Sequence, residues 1–259
     1  MFYPDHPATL RKQIRGFLED GRARAAADGP GAGSATPKAI VAPHAGTVYS
    51  GPVAGTVYAR LLATADAVQR VVLLGPSHRV PLQGLAASSH DAFTTPLGTI
   101  PLDRTTIAKL IELPQVAIND EAHRREHSLE VNLPFLQETL GTFSLVPLVV
   151  GRASPEEVAE VIEAAWGGPE TLIVISTDLS HFLDYDTARA LDRETSGFIE
   201  QLAFDRISDE RACGRGPLRG MLLAARNRGL SVRCVDLRSS GDTAGTRGEV
   251  VGYGSYIVI

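Results

Sequence analysis

The chain has 259 residues, 25 Lys+Arg against 30 Asp+Glu for a formal charge of −5, 44% apolar residues and two cysteines. A chain this long can bury a core without disulfides or structural zinc, and residues 1–259 read as a single domain. The acidic balance argues against nucleic acid as a partner, and the absence of a secretory leader or an apolar run near ~18 residues argues against a membrane, so a cytoplasmic protein is expected.

Residues 1–7 read as a loop, after which Leu10, Ile14, Phe17 and Leu18 mark a short amphipathic helix. Residues 21–37, rich in Ala, Gly and Pro, have little to bury and are expected to form a flexible surface loop. Beyond Pro37, short apolar runs at 39–42, 70–74, 144–150, 171–176, 231–237 and 250–259 are strand candidates. Helical patterns lie at 53–65, 103–113, 131–140, 154–165, 187–202 and 217–227. Ser154, Pro155 and Glu157 give the helix at 154–165 a capping box. Residues 88–103 break the alternation and read as a hairpin-like insertion. Strand–helix alternation at this spacing predicts an α/β protein of three layers, with a largely parallel or mixed central sheet and helices on both faces.

In an open sheet of this kind ligands gather outside the carboxyl ends of the strands. His44 follows the first run, His78 the second, Asp178 and His181 a later one, and Asp242 follows 231–237. Two neutral imidazoles and one carboxylate make a ligand set suited to non-haem Fe(II), and with one water the same set holds catalytic Zn²⁺. His44, His78 and Asp242 are therefore the expected metal ligands. His181 is a candidate acid or base, because an imidazole side chain ordinarily titrates near neutral pH, and Asp178 is placed to orient it or a ligand imidazole. Tyr49 and Ser77 are near enough in sequence to the first two histidines to contact a substrate. Asp242, in Ser239-Ser-Gly-Asp-Thr, also reads as a turn residue bonding to its own backbone.

A second signal is His123-x-x-Glu126-His127, which matches the H-x-x-E-H pattern of inverted zinc peptidases. It competes with a charged, solvated helix start, and with a third reading in which His127 alone reaches the strand-end site. Gly29-Pro-Gly-Ala-Gly33 has no strand before it and is no dinucleotide fingerprint, and Gly75-Pro-Ser77-His78 lacks the second glycine of a nucleophile elbow. Cys213 and Cys234 read as small buried hydrophobes.

The segments starting Ala42-Pro-His-Ala-Gly-Thr-Val-Tyr-Ser-Gly, Leu74-Gly-Pro-Ser-His, Glu126-His-Ser-Leu-Glu-Val-Asn-Leu-Pro-Phe and Ile175-Ser-Thr-Asp-Leu-Ser-His resemble the Memo family, also called AmmeMemoRadiSam system protein B. Phe2-Tyr-Pro and Val251-Gly-Tyr-Gly-Ser extend the likeness over essentially the whole chain. The family is similar in fold to class III extradiol dioxygenases. The resemblance implies His44 and His78 as iron ligands, with Zn or Cu as other occupants, His181 as acid or base, and His127 as a second substrate-facing histidine. It aligns Asp242 with a position where animal members carry a Cys, and gives His123 no role. It implies an iron-dependent, dioxygenase-like oxidoreductase acting on an unknown small molecule. Other readings are a peptide- or partner-binding module using the same pocket and a metal-dependent hydrolase. Prokaryotic members keep company with radical-SAM and AMMECR-type proteins, which makes these expected functional associates.

Overall fold

Runs that are apolar at every position must be covered on both faces, and they form the middle of the sheet. The structure, a computed structural model, describes residues 2–27 and 36–259. In chain order its first half comprises α1 (Pro7–Ala27), β1 (Ala39–Ala42), α2 (Thr47–Tyr58), β2 (Arg70–Pro76), β3 (Leu85–Ala87), a hairpin of β4 (Ala92–Thr95) and β5 (Gly98–Pro101), α3 (Arg104–Leu110), β6 (Val116–Ile118), α4 (Asp120–Arg124), α5 (His127–Glu130) and α6 (Leu133–Leu140). The second half comprises β7 (Ser144–Val150), α7 (Pro155–Ala164), β8 (Thr171–Ser176), β9 (His181–Leu183), α8 (Tyr185–Glu200), α9 (Arg215–Asn227), β10 (Val232–Ser239) and β11 (Val250–Val258).

Among the described residues, nine strands form one sheet in the order β10-β11-β1-β8-β2-β7-β3-β6, with β9 added against β11. β1, β8, β2 and β7 pair in parallel, whereas β11 joins β1 and β10 antiparallel and β3 joins β7 antiparallel. The sheet is therefore mixed. β1 and β8 are buried at every position, as a strand with helices over both faces must be. Alternation along β11 separates the layers: Ser255 donates to the Val53 carbonyl of α2, whereas Gly252 packs against Asp192 of α8. The Ser154 capping box forms as expected.

Two expectations fail locally. The first part of the loop predicted at 21–37 is helical, because α1 runs through Gly21 to Ala27; residues 28–35 of that prediction lie outside the described residues. Gly21 marks close packing and not flexibility. A Cβ there would lie 2.3 Å from the Gly55 carbonyl oxygen of α2, so the glycine lets the two helices cross closely. The helix predicted at 53–65 starts earlier, at Thr47, and has given way by Ala59 to a short 3₁₀ turn. β3, β6 and β9 are three-residue strands, too short to leave a periodicity.

Candidate metal centre

Parallel pairing of β1, β8 and β2 brings three strand-end loops to one edge of the sheet. His44 follows β1, His78 follows β2, and Ser176 closes β8. α5 completes the site because Gly75 lets it approach: a Cβ at Gly75 would lie 2.7 Å from Ser128 Oγ, which itself donates to the Pro76 carbonyl. His127, one residue before Ser128, is thereby set beside His78. The ring centroids of His44 and His78 lie 5.2 Å apart, those of His44 and His127 5.5 Å, and those of His78 and His127 4.7 Å. Their ligand atoms lie within 4.8 Å of one another, a spacing that could hold one metal ion.

The hydrogen-bond network fixes which ring nitrogens are bare. Ser176 has one hydroxyl proton and gives it to the Ser128 carbonyl, which can only accept, at 2.5 Å. Ser176 Oγ must then accept from its other two partners, Asn132 Nδ2 at 2.9 Å and His44 Nδ1 at 2.8 Å. His44 therefore carries its proton on Nδ1, leaving the Nε2 lone pair free. His78 Nδ1 lies 2.8 Å from Glu126 Oε1, an acceptor, so in the neutral ring the proton sits on Nδ1 and Nε2 carries the lone pair. Burial opposes the ionised form of Glu126, but hydrogen bonds from the His78 ring and backbone and from Ser128 outweigh it and bring this carboxyl down to about 2. Burial, then the neighbouring His78, lowers His44 to about 3; burial, then His44 and His78, lowers His127 to about 4. The His44 and His127 imidazoles are thus held neutral at neutral pH, the state a metal requires. His127 Nδ1 is buried 3.4 Å from Glu126 Oε1 without hydrogen-bond geometry, an orphaned polar atom at the cluster.

Asp242 does not join the histidines. Its carboxylate accepts from the Ser239 backbone and hydroxyl at 2.8 and 3.1 Å, and from Tyr185 Oη at 2.5 Å, closing a 3₁₀ turn. The turn reading of Ser-Ser-Gly-Asp describes its surroundings, and Asp242 belongs to neither ligand-spaced group found among the described residues. The second of those groups is His44, Asp178 and Cys213. Cys213, read from sequence as a core filler, places Sγ 3.4 Å from His44 Nε2. Burial and then Asp178 raise its thiol to about 12, so without metal it stands protonated beside the bare nitrogen. No strand precedes Cys213, so the strand-end rule passed it over. The available signal was Cys213-Gly-Arg-Gly-Pro, a cysteine in the loop that opens α9.

The remaining expected residues take distinct places. Asp178 is buried, and burial raises its carboxyl; its Oδ1 accepts the His44 backbone N–H at 2.8 Å, so it positions the loop and not a ring. His181 sits on β9, paired with Val251, next to Phe182, which is 72% exposed and has a left-handed φ of 58°. Tyr49 is exposed on the first turn of α2, and Ser77 donates to the Val80 carbonyl at 2.6 Å. Phe2 stacks on His127 with centroids 4.3 Å apart. His123 and His127 do not share a helix: α4 ends at Arg124, Glu126 is extended, and α5 begins at His127. His123 Nε2 instead meets the Ala86 carbonyl, so the inverted-peptidase arrangement is not formed.

A mixed α/β sheet with a cluster of three imidazoles at its strand ends defines a protein built to present nitrogen donors at that edge. The chain belongs to the Memo family: a family model described as Memo-like protein matches residues 1–257. It is 34% identical to a MEMO1 family protein of Methanopyrus kandleri, over 99% of this chain and 95% of that one. It is 33% identical to one of Methanothermobacter thermautotrophicus, over 97% and 95%. The fold is similar to that of a solved, uncharacterized protein of Escherichia coli K12, with a TM-score of 0.58 at 15% identity, covering 86% of this chain and all of that one. No described helix is long and apolar enough to cross a membrane.

Proposed function

We propose that this protein is a mononuclear metalloenzyme, an oxidoreductase whose ion is held by His44 and His78 with His127 or Cys213 as third donor. The observation that carries this reading is that both rings are anchored through Nδ1, His44 on Ser176 and His78 on Glu126, which reserves each Nε2 for an ion. Fe(II) is the ion proposed, although the imidazole cluster lacks the carboxylate on which the sequence argument for iron leaned; imidazole and thiolate donors also suit Zn and Cu. When bound, such an ion polarises a substrate oxygen or exchanges electrons with it. The chain's own residues do the rest. His44 and His78 hold the ion without reorienting, His181 at the rim moves a proton through its ring, and Tyr49 contacts the substrate.

Metal analysis of protein purified without added metal tests the site. About one first-row ion per chain is expected, and His44→Ala/His78→Ala should lose it while keeping the wild-type circular dichroism. Retention of the metal by the double variant would overturn the assignment. Turnover of catechols in air by the iron-loaded protein tests the dioxygenase-like reading. A second reading, a module that binds a peptide or partner protein over the same edge, is favoured by the exposed Phe2, Tyr49 and Phe182 rings; pull-down with a Phe182→Ala control separates it from catalysis.

A further inference from the structure

We propose that a cavity adjoining the histidine cluster is an anion subsite, and that the substrate of the metal site carries a carboxylate or phosphate that seats there. The substrate half of this inference rests on the metalloenzyme reading; the binding half does not. The cavity, of about 620 Å³, opens where β2 and β7 end, between the first turns of α7 and α9. Arg152, Arg215 and Arg219 all line it, against Asp209 as the single acidic lining residue. Asp209 is already paired with Arg215.

Among the described residues neither Arg152 nor Arg219 forms an ion pair with a carboxylate, and Arg219 Nε is buried with no hydrogen bond. A buried guanidinium donor without an acceptor, as at Arg219 Nε, is costly, and in a chain of net charge −5 a further guanidinium, the exposed Arg152, on the wall of the same cavity is not the result of general basicity. The start of α9 adds to the field. No side chain caps this 13-residue helix, and Gly216 of its first turn lies in the cavity wall. Guanidinia recognise carboxylate and phosphate through paired N–H donors.

The location ties the subsite to the chemistry. The cavity wall includes Ser77, the residue before His78, and Cys213, whose Sγ lies 3.4 Å from His44 Nε2. A molecule anchored on Arg152 and Arg219 therefore shares a cavity whose wall includes the cysteine that His44 faces. The volume exceeds that of a bare inorganic anion, and Val80, Leu82 and Val150 provide apolar wall for a carbon skeleton.

Calorimetric titration of the purified protein with phenyl phosphate, benzoate and neutral benzyl alcohol tests the proposal. At least one anion should bind saturably, and the one that does tells phosphate from carboxylate; benzyl alcohol should not bind. Arg152→Gln and Arg219→Gln should each weaken binding about tenfold, the loss of roughly one charge-assisted hydrogen bond, while Arg219→Lys recovers part of it. Arg152 is exposed, so its variant carries the test if Arg219→Gln does not fold. Failure of both anions to saturate, unchanged affinity in the variants, or equal binding of benzyl alcohol would overturn the subsite. Metal content measured on the same samples keeps the two readings apart. Arginine-dependent anion binding by a protein that carries no metal would sink the metalloenzyme and leave the subsite standing.

Discussion

At the scale of single residues, the site depends on protons held away from the ligand atoms. Ser176→Ala removes the acceptor that keeps the His44 proton on Nδ1, so metal affinity should fall about 10–100-fold, as for other residues that orient a ligand imidazole. Competition with a chromophoric chelator reads this directly, and unchanged affinity would show that the tautomer is set by something else. Cys213→Ser separates the candidate third donors. If the thiolate ligates, the variant loses affinity and any sulfur-to-metal charge-transfer band; if His127 ligates, His127→Ala does so and Cys213→Ser keeps the ion. The histidines at 44 and 78 were legible because each directly follows an apolar run whose burial on both faces fixes it as a central strand. Asp242 follows a strand too, but its short side chain is satisfied by its own turn, and sequence position alone does not separate a ligand from a cap. Cys213 arrives on a loop ahead of a helix, where no periodicity announces a strand end.

At the scale of elements, small contacts decide where the loops fall. Gly75→Ala would press a methyl group against Ser128 and push α5 away from β2, carrying His127 from His78. The expected cost is about 1–3 kcal/mol, seen as a lower urea midpoint, together with weaker metal binding. The start of α3 gives a pH test remote from the histidines. Burial opposes ionisation of Asp103, but its hydrogen bonds from Thr106 and Arg70 outweigh this and lower its carboxyl below the ordinary range. A depressed native value means that the stabilisation is present above the unfolded value, roughly 3.9, and fades as pH drops through the lower native one. Asp103→Asn should therefore destabilise at pH 7 by about 1–2 kcal/mol and lose part of the wild-type decline below pH 4. Equal acid sensitivity in the two proteins would refute the role. The longer elements were readable from period and caps, the Ser154 box most directly. The three-residue strands carried too few residues to alternate, and Gly21 was read by its composition when its role lies in what crosses it.

At the scale of the whole molecule, the sheet and the site are one object. A ligand that binds only the folded chain adds about 2.7 kcal/mol at a hundredfold excess over Kd, roughly 5–10 °C in the melting temperature of a protein this size. Chelator should remove that increment from the wild type and leave His44→Ala/His78→Ala unmoved; an equal effect on both would place the ion elsewhere. The alternation of runs and helices made the layers legible. The strand order was not, because β1 takes its neighbours, β8 and β11, from the far half of the chain. That separation sets a clock on the ribosome. His44 and the Ser176 hydroxyl that sets its proton are 132 residues apart, about 7–26 s of synthesis at 5–20 residues per second. Until then the first histidine is free to bind whatever ion it meets, without the geometry to retain it. If the proposed site holds an ion, loading can therefore be completed only after Ser176 has been made, and the free-metal level at that stage would decide which ion is captured.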